Sequence, residues 1–152
     1  MAERQPRISL LFQVFKTNQL ARTYVRRVLD EATMRGDDFA VYSLLYVMGP
    51  ASPLVVADGL GMPATTLSGY LAKLEERGHL ARRPHPSDGR SHLVALTPAG
   101  EAAFSAQRAT FSAGLRRLER ALGGGDERIY EALEALQDAL RAAETGDRSV
   151  DD

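Results

Sequence analysis

The residues of this 152-residue chain best suited to chemistry lie between positions 64 and 90, and none is a nucleophile paired with a base. Ala64, Thr65, Thr66, Ser68 and Gly69 are small or hydroxyl-bearing, with Lys73 and Arg77 one and two helical turns further on. Leu67, Leu71 and Leu74, spaced four and three, assign the other face of the stretch to a core. Small polar side chains on a helix surface fit a major groove about 12 Å wide, where hydroxyls meet base edges and methyl groups meet thymine. Cations at the far end suit phosphates, which position a protein without reading sequence. A plain amphipathic surface helix has the same pattern, so this stretch alone leaves both readings open.

The second constellation is Asp88-Gly89-Arg90, at the tip of the turn-rich run Pro84-His85-Pro86-Ser87. Glycine lets the turn tighten, Arg90 can enter a narrow electronegative minor groove, and Asp88 can pair with the guanidinium and hold its direction. Arg82 and Arg83 add two cations at the root, and His85 and Ser87 complete the polar tip. A solvated turn with an exposed ion pair is the bland alternative. His79, His85 and His92 flank the same region without accompanying carboxylates, which suits phosphate neighbours or solvent-exposed side chains better than a metal site.

The elements that must position these residues follow from periodicity and breakers. Ile8, Leu11, Phe12, Phe15, Val25, Val28 and Leu29 predict a long helix over 8–34, stopped by Gly36. Asp37 or Asp38 caps a second helix that runs to about Met48, where Gly49-Pro50 breaks it. Ser52-Pro53 starts a short third helix, Gly59-Leu60-Gly61 makes a tight turn, and a fourth helix runs from about Pro63 to Arg77 and ends at Gly78. Residues 79–83 and 91–96 read as a β-hairpin around the turn. Thr97-Pro98 restarts a helix to about Leu122, with Phe104, Phe111, Leu115, Leu118 and Leu122 spaced 7, 4, 3 and 4. Gly123-Gly124-Gly125 is a hinge, and Ile129, Leu133, Leu136 and Leu140 mark a last helix from about Asp126 to Ala143, before a polar tail expected to fray. Both late seams are heptad-like, the spacing that buries one helix stripe against another.

Composition excludes several classes. The absence of cysteine removes disulfides, thiolate nucleophiles and Cys-ligated zinc. No apolar run approaches the roughly 20 residues that span a bilayer, and the first residues lack the apolar core of a signal peptide, so a cytoplasmic protein is expected. No phosphate-binding glycine loop, catalytic triad or ligand set is present, so neither an enzyme nor a cofactor is expected. The formal net charge of −1 conceals a segmental pattern: +4 over residues 1–35, −3 over 36–61, +2 over 62–100 and −4 over 101–152. Binding responds to the local field, which decays over about 10 Å at moderate salt, so a basic middle is compatible with nucleic acid.

Leu74-Glu75-Glu76-Arg77-Gly78-His79-Leu80-Ala81-Arg82-Arg83, then Asp88-Gly89-Arg90-Ser91, then Leu96-Thr97-Pro98-Ala99-Gly100 together resemble the MarR family of bacterial transcriptional regulators. The likeness is close over residues 60–104 and extends in element order over nearly the whole chain. It implies a mainly α fold with a small β-hairpin wing. A winged helix-turn-helix (36–97, wing about 79–96) would lie between an N-terminal dimerisation helix (1–35) and C-terminal dimerisation helices (98–145), with a frayed tail at 146–152. It also implies a homodimer on pseudo-palindromic double-stranded DNA, most simply a repressor. Arg90 and Asp88 take the place of the family's wing arginine and its acid partner, and Ala64, Thr65, Thr66, Ser68, Gly69 and Lys73 its recognition positions. Pro63 departs from the family pattern by leaving the recognition helix without a side-chain cap. A small phenolic or lipophilic effector is the last implication, with Phe12, Phe15, Tyr24, Phe39, Tyr42 and Tyr46 as candidate lining, although aromatics at helical spacing are more often core. A winged helix kept only for protein docking is the competing class, since fold alone does not fix function.

Overall fold

A computed structural model describes residues 8–29, 34–124 and 126–147. It contains six helices and one hairpin: α1 (Leu10–Val28), α2 (Gly36–Met48), α3 (Pro53–Gly59), α4 (Ala64–Glu76), β1 (Leu80–Pro84), β2 (His92–Leu96), α5 (Pro98–Leu122) and α6 (Asp126–Asp147). The chain forms two compact units, Met1–Ser112 and Ala113–Asp152, divided within α5.

In the first unit, Leu67, Leu71 and Leu74 of α4 close over Val41, Tyr42 and Leu45 of α2 and Val56 of α3, with Leu80, Val94 and Leu96 of the hairpin and Phe104 of α5 in the same buried cluster. The strands pair antiparallel from Leu80 opposite Leu96 to Pro84 opposite His92. Ala51 exchanges both backbone hydrogen bonds with Val94, at 3.1 and 2.8 Å, and thereby ties the α2–α3 connection to the wing. Thr97 sits at the joint between wing and α5. Its Oγ1 accepts the Gly100 N–H at 3.1 Å and donates to the Gly78 carbonyl at 2.7 Å. A Cβ on Gly100 would stand 2.1 Å from the His79 carbonyl oxygen, so only glycine permits this approach.

Several local expectations need correction. The first helix ends at Val28, not 34: Leu29 is extended and buried, which draws the chain into the core, and residues 30–33 lie outside the described set. Gly36 does not stop a helix but begins α2. Its missing side chain lets α1 approach, because a Cβ there would meet Val25 Cγ1 at 2.9 Å. Neither Asp37 nor Asp38 is the cap. Arg35 occupies that position without a side-chain bond, and both acids lie in the first turn, where the helix dipole favours negative charge. The last helix continues through Asp147 rather than ending near Ala143, and residues 148–152 of the expected tail are outside the described set. Of the glycine hinge, Gly123 and Gly124 both have positive φ, and Gly125 is not described.

The α1 helix and the second unit differ from this core. Leu10, Leu11, Phe12 and Phe15 of α1 are exposed, as are Leu115, Leu118 and Leu122 of α5 and Ile129, Leu133 and Leu140 of α6. Among the described residues no helix is long and apolar enough to cross a membrane.

Candidate nucleic-acid interface

The interface is built on α4. Ser52 caps α3 through the Val55 N–H, with Pro53 at the first helical position, and the turn at Gly61 (φ 59°) sends the chain into α4. Pro63 occupies the N-cap of α4 and supplies no side-chain bond, as its chemistry requires. Three leucines bury the inner face, which turns Ala64, Thr65, Thr66, Ser68, Gly69, Lys73 and Arg77 outward, all exposed. Gly69 has open space beside it, so the surface there is flat to an approaching ligand.

The wing carries Arg82, Arg83, Ser87, Asp88 and Arg90 on its exposed surface, with His85 half-buried. Asp88 organises the tip through the backbone rather than the guanidinium: its Oδ1 accepts the Arg90 N–H at 3.0 Å. That bond holds the Asp88 carboxyl below the usual carboxylate range. The aspartate therefore shapes the turn that presents Arg90, a geometric role in place of the expected ion pair. Around it, the His85 N–H donates to the Ser91 carbonyl at 3.3 Å and the Ser91 N–H to the Asp88 carbonyl at 3.1 Å.

At the wing root the cations are not equivalent. Arg82 forms a fork with Glu75 of α4, Nε to Oε1 at 2.6 Å and Nη2 to Oε2 at 3.0 Å, and its Nη1 lies 2.7 Å from His92 Nε2. The Arg82 hydrogen bond lowers the Glu75 carboxyl from its ordinary value. Arg82 thus braces the wing against α4, whereas exposed Arg83 is oriented by no such fork. Arg77 is engaged in the same way: its Nη1 donates to Asp38 Oδ2 at 3.0 Å, and Asp38 is 2% exposed. A neighbouring buried bond joins Tyr42 Oη and His79 Nδ1 at 2.6 Å, and burial raises the Tyr42 hydroxyl above its ordinary value. His79 and His92 are therefore structural partners of Tyr42 and Arg82, in place of the solvent-facing or phosphate-neighbouring positions expected. Among the described residues no three His, Asp or Glu side chains converge as metal ligands.

The structure separates the six aromatics proposed for an effector pocket. Phe39 and Tyr42 are core residues, with the Phe39 ring packed at a tilt against Phe111 and Phe104 at centroid distances of 4.4 and 5.2 Å. Tyr46 lies partly exposed on Phe104 and under Arg108, Tyr24 is half-buried, and Phe12 and Phe15 face outward. A cleft of about 530 Å³ opens instead beside the C-terminal half of α1, lined by Ala21, Arg22, Val25, Arg26, Arg35, Gly36 and Asp37. Sequence periodicity offered no signal for it, because its walls come from two helices that meet only in the fold.

Residues 40–91, from α2 to the wing tip, match the model of the MarR family. Over those residues the chain is similar to the MarR family. No curated protein sequence matches it, but solved structures do over most of its length. A probable transcriptional regulator from Pseudomonas aeruginosa is 25% identical, with a TM-score of 0.72 over 85% of this chain and 96% of that one. The Staphylococcus aureus MepR–DNA complex has a TM-score of 0.73 at 16% identity, covering 88% and 99%. PcaV from Streptomyces coelicolor, a transcriptional regulator solved with its natural ligand, has a TM-score of 0.72 at 17% identity, covering 91% and 99%. The fold is that of these winged-helix structures, mostly helical with a two-stranded wing.

Proposed function

We propose that the protein is a sequence-specific regulator of transcription that binds a pseudo-palindromic operator as a homodimer and represses by occupying it. The observation that carries this reading is the pairing of two exposed, complementary surfaces: the small hydroxyl-bearing face of α4 and the wing tip whose turn presents Arg90. The first suits the major groove and the second the minor groove. A basic wing root and an ordered tip that presents Arg90 are not needed for protein docking, which argues against that alternative, and the site offers no nucleophile paired with a base. The homodimer reading rests on the apolar rows of α1, α5 and α6, which a single chain leaves in water, with Phe15 59% exposed. Covering such side chains yields on the order of 1.5–3 kcal/mol each when burial is complete.

A small phenolic or lipophilic effector would release the operator by changing the separation of the two recognition helices, which a two-fold dimer sets at about 34 Å for half-sites one turn apart. PcaV, solved with a natural ligand, lends support by likeness of fold. Such a protein acts in the cytoplasm.

Arg90→Ala and Lys73→Ala test the reading with electrophoretic and salt-titrated binding to duplex DNA. Arg90→Ala weakens the operator complex and flattens the preference for narrow minor grooves. Lys73→Ala weakens specific and random duplex alike and lowers the salt slope by about one unit. A full chain that shifts no duplex at low salt, random or selected, contradicts the reading and favours the docking module.

A further inference from the structure

Two adjacent carboxylates at the start of α2 hold the recognition helix at two points. Asp37 Oδ2 accepts from Tyr70 Oη at 2.8 Å, and the same oxygen accepts from Arg22 Nη2 of α1 at 2.9 Å. Asp38 Oδ2 takes Arg77 Nη1 at 3.0 Å. Tyr70 and Arg77 are seven residues apart, so they share one flank of α4 about 10 Å apart along its axis. The leucine stripe by itself fixes how deep α4 sits. Two polar attachments on one flank also fix its roll about the axis, and the roll decides which of Thr65, Thr66, Ser68 and Gly69 meet base edges. Lys73, on the same flank, stands 5.8 Å above the Tyr70 ring, so that clasp orients a phosphate-seeking cation too.

Resting on the DNA-binding reading above, we infer that Asp37 and Asp38 are positioning residues for operator recognition, and that Asp37 is the joint through which α1 sets the roll of α4. The two clasps differ in kind. Asp38 is buried and ion-paired with Arg77, a structural pin. Asp37 is partly exposed and its ion pair with Arg22 is solvated (side chains 35% and 56% exposed), so it contributes little to folding. A contact that is weak for stability but shared between an arm and the reading helix can change with α1 without unfolding the domain. The 530 Å³ cleft lined by Arg22 and Asp37 opens directly onto this joint.

The inference predicts the opposite sign from simple electrostatics. Near DNA, removing an acid should tighten binding to every duplex. As a positioning residue, Asp37 instead makes operator binding weaker when removed. The test measures affinity for a selected operator and for random duplex, with thermal melting, for the full chain and for Tyr70→Phe, Asp37→Ala and the double variant. Tyr70→Phe deletes one hydroxyl and no charge, so it reports the clasp alone. Expected is a three- to tenfold loss on the operator for each single variant, random-duplex affinity within about twofold of the parent, and an unchanged melting temperature. Because the bond that Tyr70→Phe removes is already lost in Asp37→Ala, the double variant should be no weaker than Asp37→Ala. Tighter operator binding by Asp37→Ala, parental binding by Tyr70→Phe, or fully additive losses would each overturn the joint while leaving the DNA-binding reading intact. A parent chain that selects no operator overturns that reading and the inference together.

Discussion

The winged helix and the helical arms handle the same apolar residues in opposite ways. In the winged helix Val41, Val56, Leu67, Leu74 and Val94 are all but inaccessible, and every buried side-chain polar atom among the described residues has a partner. Along α1 and α6, Phe12, Phe15, Ile129, Leu133 and Leu140 recur at equally regular helical spacing and remain exposed. Periodicity is thus the same signal in both regions, yet one set is a finished core and the other is a face that a single chain does not cover. In the function proposed above, the first region reads DNA and the second pairs two reading heads.

The largest effect expected separates these regions by stability. Leu74→Ala, at a fully buried position, should cost about 3 kcal/mol whatever the protein concentration, because a cavity opens in a closed core. Leu133 is exposed in the single chain, so Leu133→Ala should instead lower the melting temperature at concentrations where the proposed dimer forms and have little effect at dilutions where it dissociates. Chemical denaturation at two protein concentrations distinguishes them, and equal concentration dependence for both variants would erase the contrast.

Comparable in size is the effect of breaking the Asp38–Arg77 pin. Arg77→Ala leaves a carboxylate 2% exposed without its guanidinium and should cost roughly 3 kcal/mol. Asp38→Ala should cost less, since the Arg77 side chain is 45% exposed and can rehydrate. Urea unfolding of the two variants checks the order, and the reverse order would mean that Arg77 serves mainly the surface.

At the wing tip the change should appear in binding and not in folding. Arg90→Ala should weaken the operator complex by about 1–2 kcal/mol, roughly a tenfold rise in Kd, with an unaltered melting curve. Asp88→Ala should weaken it in the same direction by loosening the turn that presents Arg90.

The smallest effect concerns the brace between wing and α4. The Glu75 carboxyl is held below its ordinary value of 4.5 by Arg82, so its contribution is complete above that value and is lost as pH falls below it. With a partly exposed pair the loss is under about 1 kcal/mol. Melting between pH 6 and pH 3 should show a drop that Glu75→Gln lacks, and parallel curves would remove the brace from the account.

Much of this was legible in the sequence, for identifiable reasons. The leucine spacing of α4 fixes its buried face, Ser52-Pro53 its preceding start signal, and Pro84 to Gly89 the hairpin turn, because each is a local rule acting within a few residues. Gly36 is ambiguous in the sequence since glycine is both a helix stop and a site of close approach, and only the position of Val25 decides between them. The clasps were invisible for a different reason. Asp37–Tyr70, Asp38–Arg77 and Tyr42–His79 join residues 33, 39 and 37 positions apart, and no periodicity marks such pairs. Arg77 accordingly read as a phosphate contact and Tyr42 as pocket lining, whereas the fold gives both buried or half-buried partners.

In the function proposed above, reading and symmetry reside in separate regions. Selection of bound sequences from a random duplex pool, run in parallel with the full chain and with Leu133→Arg/Leu140→Arg, tests it most directly. The full chain should enrich two inverted half-sites about one helical turn apart, and the arm variant a single copy of the same half-site at lower affinity. Enrichment of the paired site by both proteins, or of no symmetric sequence by the full chain, would contradict it.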